Sequence, residues 1–382
     1  MKSFDIRTKI YFGDNALERL QQLPYRKVMI VADPFVVESG MINQIIRRLE
    51  RAAIHYTIFK EVVPDPPVEK IASGVKAVME AQPEALIAIG GGSAIDSCKG
   101  IREFAVKMDA LKEKIPMIAI PTTSGTGSEV TSFSVITDPV KHVKYPLVSE
   151  DLLPTEAILD VEMVRTVPPV TTADTGMDVL THAIEAYVST DYNEFSAALS
   201  EKAIQIIGTY LLRSYLDNND THARTKMHVA SCLAGLAFNS SNLGLNHGMA
   251  HQLGAQFHIP HGRANAILLP HIVEYNSEIT KNSKSRTEYD HTVRCYENIA
   301  RTLGLANFNT ITTVRALVNW IQFMMQEMDM PLTVSQTGRC TKEEYFAAID
   351  AMADAALLDG CTATNPRRPT KQDVVDIYKA IW

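Results

Sequence analysis

Four of the chain's eleven histidines fall between residues 244 and 261, in GLNHGMAHQLGAQFHIPH. His247 and His251 stand four apart, a spacing that puts both imidazoles on one face of a helix. Pro260 cannot sit inside that helix, so the chain should turn near Ile259 and offer His261 from a loop or a helix end. Two imidazoles on a helix face and a third beyond its end can converge on one borderline divalent ion. Clustered histidines also arise as satisfied core residues. A second i, i+4 pair, Asp178 and His182, lies upstream in DTGMDVLTHAIEAY. Asp178 with His182, His247 and His261 makes one carboxylate and three imidazoles, a set suited to Fe²⁺ or Zn²⁺ rather than to Ca²⁺ or Mg²⁺. Asp174 and Glu185 share that helix and read as a cap or a solvated face. His251 is left over, one turn from His247, and His258 reads as surface.

The other chemistry-bearing stretch is Gly90-Gly91-Gly92-Ser93-Ala94-Ile95-Asp96-Ser97-Cys98-Lys99. Three glycines after a buried strand allow a tight turn, and the helix that follows offers unpaired N–H groups to a pyrophosphate. Ser93 and Asp96 also have capping-box spacing, and a structural role for Asp96 is preferred because a carboxylate aimed at a diphosphate would be repelled. Asp33 ends an earlier strand, where a carboxylate can accept from ribose hydroxyls and repel a 2′-phosphate; an Asp-Pro turn is the plainer reading. A second loop, Pro121 to Glu129 (PTTSGTGSE), lacks the Gly-Lys-Ser/Thr ending of an NTPase P-loop.

The elements around these residues divide the chain in two. Residues 8–12, 27–32, 55–59, 85–89 and 117–120 read as strands, alternating with helices over 41–53 and 68–81. That alternation predicts an α/β, doubly wound, Rossmann-like sheet. Residues 134–137 and 144–148 read as a hairpin around Asp138-Pro139. Beyond Val167-Pro168-Pro169-Val170 strand signals almost vanish, and eight segments suit helices, among them 171–188 and 246–257. The expected domains are therefore 1–168, an NAD-binding α/β domain, and 169–382, an all-helical domain that binds metal and substrate, with the nucleotide in the cleft between them. The formal net charge of −7 argues against a nucleic-acid partner and leaves no cationic patch for a membrane. No run reaches membrane-spanning length, and the first twenty residues lack the apolar core of a signal peptide. Five scattered cysteines without a CxxC pair suit reduced thiols in a cytoplasmic protein.

GMDVLTHAIEAY together with NHGMAHQLGAQFHIPHG resembles the paired signatures of the iron-containing (group III) alcohol dehydrogenases, and GGGS-x-x-D-x-x-K resembles their nucleotide-binding signature. The similarity runs over essentially the whole chain and is strongest to bacterial propanol, ethanol and lactaldehyde dehydrogenases. It implies NAD(H) and Fe²⁺, or Zn²⁺, as cofactors and a short-chain primary alcohol such as ethanol or 1-propanol as substrate. It implies a metal held by Asp178, His182, His247 and His261, acting as a Lewis acid on the alcohol oxygen. His251 then becomes a neighbour of substrate and nicotinamide, suited to relaying a proton. Cofactor contacts are implied for Asp33, Asp65, Gly90, Gly91, Gly92, Ser93, Thr122, Thr123, Ser128 and Lys144. Asp65 stands where relatives often carry Asn, and a solvated lysine is the other reading of Lys144. Phe133, Phe238 and Cys361 match substrate-pocket positions, the bulk of Phe133 favouring an unbranched alcohol over a vicinal diol. Relatives pair through an edge strand, so at least a homodimer is expected. The rival enzyme readings are a lactaldehyde or propanediol oxidoreductase and a glycerol dehydrogenase-like enzyme. The rival class is a scaffold that has lost its activity.

Overall fold

The computed structural model describes residues 4–63, 66–138, 143–279, 290–305 and 308–382, apart from the side chains of 137, 138, 143–146 and 290. The chain falls into two compact units, Met1–Val167 and Pro168–Trp382.

In the first unit, β1 (Lys9–Phe12), β2 (Lys27–Ala32), β3 (His55–Phe59), β4 (Ala85–Gly90), β5 (Met117–Pro121) and β8 (Glu156–Leu159) form one sheet. Its order is β1-β8-β5-β4-β2-β3, and every pairing is parallel. A parallel sheet must be covered on both faces, so its strands read as continuous apolar runs. Met29, Val31, Leu86 and Ala88 pack with α3 (Val68–Ala81) and α4 (Gly92–Lys107) on one side. Val28, Ile30, Ile87 and Ile89 pack on the other with the 3-10 turn Ala16–Gln22, α1 (Pro34–Glu38) and α2 (Asn43–Arg51). From β2 the chain adds β3 on one side and then returns to add β4 on the other. The sheet therefore changes direction between β2 and β4, the place where such folds bind nucleotides. β6 (Phe133–Asp138) and β7 (Val143–Val148) make a separate antiparallel pair. β8 and α1 had no counterpart in the strand and helix pattern of the sequence.

Among its described residues the second unit contains helices and no strand. It comprises α5 (Pro169–Val188), α6 (Glu194–Leu216), α7 (Thr221–Ser241), α8 (Leu245–Phe257), α9 (His261–Ser277), α10 (Asp290–Thr302), α11 (Thr310–Glu327), α12 (Lys342–Leu358) and α13 (Lys371–Ala380). One apolar core, running from Met177 and Leu180 of α5 to Tyr378 of α13, joins them. α9 is the helix the sequence pattern did not announce, because Pro270 stands in its interior where proline normally breaks a helix. Among the described residues no helix is long and apolar enough to cross a membrane.

Candidate metal centre

α5, α8 and α9 converge on a cluster of polar side chains that is buried except at His261, whose side chain is 42% exposed. α5 presents Asp178, His182 and Glu185, spaced i, i+4 and i+7 along one helix face. All three are at most 5% exposed, an arrangement that apolar burial alone would oppose. α8 brings His247, which is 1% exposed. α9 begins at His261, with Pro260 as its N-cap. Gly262 explains why the start of α9 can come so close to α5. A Cβ there would stand 2.0 Å from the carbonyl oxygen of Asp174, so only glycine permits the approach that sets His261 beside Asp178.

One ligand atom each from Asp178, His182, His247 and His261 lies within 4.8 Å of the others. His247 Nε2 and His261 Nε2 stand 3.8 and 3.5 Å from Asp178 Oδ1. The ring of His182 stacks on that of His247 at 4.6 Å and on Phe238 at the same distance. At the centre lies Asn265, one helical turn beyond His261. Its Nδ2 is 2.7 Å from Asp178 Oδ1 and 3.1 Å from both His247 Nε2 and His261 Nε2. Asn246 Nδ2 donates to Asn265 Oδ1 at 2.9 Å, which fixes the amide with its NH₂ toward the cluster. An amide nitrogen thus occupies the focus of three acceptors, and a divalent cation is the other species that such a donor set fits.

Glu185 is neither solvated nor a cap of its own helix, as the sequence reading had it. Its Oε1 accepts the Asn246 N–H at 2.7 Å, capping the start of α8, and its Oε2 lies 2.5 Å from His247 Nδ1. A carboxylate on Nδ1 holds the proton there and leaves Nε2 bare for a metal. Asp174 is likewise engaged, in a two-point pair with Arg263 at 2.9 and 3.1 Å. Burial pushes Glu185 up to about 8 and raises Asp178, while burial and the neighbouring imidazoles hold His247 well below the usual histidine range. A bound cation would bring the two carboxyls back down and hold the His247 imidazole neutral still more firmly.

His251 points elsewhere. Its Nδ1 is 2.8 Å from Asp359 Oδ2, and its ring stacks on His261 at 5.3 Å. Burial raises the Asp359 carboxyl, but the hydrogen bond and charge of His251 outweigh that and hold it below the usual carboxylate value. Cys361 donates its backbone N–H to Asp359 Oδ1. His258 is exposed and closes α8 in the left-handed region at φ 54. Glu185, Asn265 and Asp359 are the residues the sequence reading missed. Helical spacing from His182 and His261 could have flagged the first two; nothing local marks Asp359, 108 positions from His251.

The nucleotide-loop residues collect at the carboxyl ends of β2, β4 and β5. Asp33 caps α1 through its Oδ1, 2.8 Å from Val36 N, and its Oδ2 lies close over Gly90, whose φ of +151 suits glycine. Gly91 is the N-cap of α4, and Gly92 and Ser93 open it. The capping box expected of Ser93 and Asp96 is not made. Asp96 instead accepts from Ser128 Oγ at 2.5 Å and from Val135 N at 3.0 Å. Thr122 N donates to Gly90 O at 2.9 Å, tying the two loops together, and Thr123 follows half-buried. Ser128 is in place, but its hydroxyl is committed to Asp96 and Lys99. Asp65 lies outside the described residues, as does the side chain of Lys144 in β7. Phe133 opens β6, half-buried.

Comparison with known proteins gives a consistent set of relatives. A family model described as "Iron-containing alcohol dehydrogenase" matches residues 7–161, and one described as "Fe-containing alcohol dehydrogenase family, C-terminal" matches residues 172–382. The chain is 40% identical to a 1-propanol dehydrogenase of Citrobacter freundii, with 96% of each covered. It is 37% identical to an NADPH-dependent butanol dehydrogenase of Clostridium saccharobutylicum, covering 100% of this chain and 98% of that one. The solved structure of a 1,3-propanediol oxidoreductase matches it with a TM-score of 0.90 at 31% identity, over 100% of both chains.

Proposed function

The chain belongs to the iron-containing alcohol dehydrogenase family, and from that premise we propose that it interconverts short-chain primary alcohols, ethanol and 1-propanol among them, with their aldehydes, using NAD(H). The observation that carries this reading is the convergence of Asp178, His182, His247 and His261, the first three of them buried, on one point in an acceptor-rich cluster. These four residues would hold Fe²⁺. Bound there, the ion would supply the Lewis acidity that makes an alcohol oxygen easier to deprotonate, and NAD would supply the hydride acceptor.

The chain's own residues do the rest. Glu185 keeps the His247 proton on Nδ1, so Nε2 faces the ion. Asp359 keeps the His251 proton on Nδ1 in the same way, so His251 Nε2 is free to take the hydroxyl proton and pass it to solvent. Phe238, packed on His182, and Cys361 wall the substrate side of the metal. In the first unit the glycine turn at the start of α4 receives the pyrophosphate, and Asp33 accepts from the adenosine ribose. Thr122, Thr123 and Ser128 shape the nicotinamide side through their backbone. The edge position of β1, with Phe12 67% exposed, supports self-association of the chain.

Anaerobic metal analysis coupled to an alcohol and aldehyde panel tests the reading. One iron per chain and reduction of acetaldehyde and propionaldehyde with NADH are expected. Turnover of glycerol with no C2–C4 aldehyde reduced would overturn it. The NADPH dependence named for the butanol dehydrogenase makes the choice of dinucleotide a separate question. Asp33→Gly should cost about one to two decades in NAD affinity, from a lost charge-assisted hydrogen bond of roughly 1.5–3 kcal/mol, and should raise relative NADP use. Unchanged selectivity would leave Asp33 as the cap of α1 alone.

A further inference from the structure

A second donor set lies one helical turn along α8. His251 comes from that helix, while Asp359 and Cys361 come from the turn after α12, and one ligand atom from each lies within 4.8 Å of the others. Asp359 caps the 3-10 turn Gly360–Thr364 by accepting the Cys361 N–H on Oδ1 at 2.9 Å, which leaves Oδ2 for His251 Nδ1 at 2.8 Å. The turn is pressed against α8 at Gly248, where a Cβ would stand 2.1 Å from Thr362 Oγ1 and 3.5 Å from Asp359 Cβ. Thr362 Oγ1 in turn donates to Ala356 O at 2.7 Å, so the backbone carrying Asp359 and Cys361 is fixed. The side chains of His251 and Asp359 are 35% and 17% exposed, which gives an ion a route to the set.

We propose that His251 Nδ1, the Asp359 carboxylate and Cys361 Sγ form a second divalent-ion site that takes Zn²⁺ and inhibits the enzyme by capturing His251. One nitrogen, one oxygen and one sulfur donor, with solvent in the fourth position, make an open tetrahedral site. A thiolate in the set selects a borderline ion over Mg²⁺ or Ca²⁺. The protons balance without any redox change. Zn²⁺ bonds to Nδ1 in place of its hydrogen, the ring carries its proton on Nε2 instead, and the Cys361 thiol releases its proton to solvent. An imidazole with N–H at Nε2 cannot accept a proton from an alcohol. The inhibition rests on the proton-relay role proposed for His251; the binding does not.

Cobalt separates the two sites. The Asp178 set contains no sulfur, whereas this one does. Co²⁺ added anaerobically to chelator-stripped full-length protein should give visible bands from the Asp178 site. By two equivalents it should also give a near-ultraviolet sulfur-to-cobalt charge-transfer band. That band is expected to vanish in Cys361→Ser and Cys361→Ala while the visible bands stay. Its absence from the wild type, or its survival in both variants, would overturn the proposal. The charge-transfer band without the visible bands of the first site would sink the Asp178 assignment and leave this one standing. On iron-loaded enzyme, Zn²⁺ should inhibit the wild type and lose that component in Cys361→Ser. Equal inhibition of both would reject the inhibitory role.

Discussion

The first unit buries Lys99 with Asp96 and Glu129; the second buries Asp178 and Glu185 among three imidazoles. In the first cluster the charges are answered from within. Lys99 Nζ donates to Ser128 Oγ, Thr131 O, Thr131 Oγ1 and Phe133 O at 2.7–3.2 Å and stands 3.9 Å from Asp96 Oδ1. Its pKa is still lowered to about 8, by burial first, with Asp96 and Glu129 opposing. In the second cluster the donor at the focus is a neutral amide, Asn265, with two hydrogens for three acceptors. A buried charge needs a partner wherever it sits. The first cluster carries its cation as a side chain and is scaffolding for the nucleotide loops. The second leaves the cation to be supplied, and that shortage distinguishes a metal centre from a packed polar core.

The largest effect should come from emptying the second cluster. His247→Ala removes a donor at its centre, so metal content and activity should fall together, by more than the roughly 10–100-fold that loss of an outer partner costs in metal affinity. His251→Ala is the control on the same helix. It should keep about one metal per chain at the Asp178 site while the rate falls by about 10²–10⁴-fold, the size of a lost general acid–base step. Metal retained in His247→Ala and lost in His251→Ala would reverse the assignment and blur the contrast between the clusters.

Lys99→Met applies the same test to the first cluster. Removing one partner of a buried ion pair costs about 3–5 kcal/mol, because the other charge is left unanswered. Denaturant unfolding of the full chain should show a loss of that size whether or not iron is bound. A loss that added metal repairs would mean the two clusters are not different in kind.

How far each cluster was legible in the sequence follows from the range of its contacts. β2, β4 and α3 could be read from sequence because buried parallel strands are unbroken apolar runs and α3 is amphipathic between breakers. β8, four residues long, offers too little pattern, and α9 hides behind Pro270. Asp178, His182 and His247 stand out because imidazole and carboxylate at i, i+4 are uncommon company. The partners that orient them are less legible: Glu185 acts on a helix that begins some sixty residues later, and its own surroundings in the sequence look like any helix face. Lys99 in GGGSAIDSCK was visible as part of a motif, but its role as the cation of a buried cluster depends on Thr131 and Phe133, fixed only when the second loop folds over α4.

A smaller effect tests the first cluster by pH in iron-loaded protein, where the ion would answer Glu185, whose carboxyl burial otherwise pushes up to about 8. Burial pushes Glu129 up to about 7 from an ordinary value of 4.5. A carboxyl whose folded pKa is raised contributes stability that is full below about 4.5 and is lost as the pH rises through about 7. Across that window the native state binds the extra proton. Unfolding free energy should therefore fall between about pH 4.5 and 7 by up to about 3 kcal/mol from this group. Glu129→Gln should make that slope shallower by this group's share. A slope unchanged in the variant would place its origin outside the first cluster.

The finest test is Glu185→Gln, which changes one atom beside the metal centre and none in it. Glutamine keeps one carbonyl oxygen and replaces the other with NH₂. If the oxygen stays on the Asn246 N–H, the NH₂ faces His247 Nδ1, which must then accept; the ring proton moves to Nε2, where it opposes a metal. If the oxygen turns to His247 instead, two N–H groups confront each other at the start of α8, where the carboxylate now accepts at 2.7 Å. The first arrangement removes the support for the tautomer that bares Nε2, and the second keeps that tautomer only by leaving the Asn246 N–H without its acceptor. Affinity for Fe²⁺ or Zn²⁺, measured by competition with a chelator, should weaken by about 10–100-fold, with activity returning at saturating metal. Nitrogen-15 spectra of the metal-free protein should show His247 shifting from Nδ1–H toward Nε2–H, a change that a merely packed glutamate would not produce. Lys99-dependent stability should not move, since that cluster keeps its own cation. Unchanged metal affinity with the Nδ1–H form intact would show that the four donors hold their geometry without Glu185, and that the second cluster is as self-sufficient as the first.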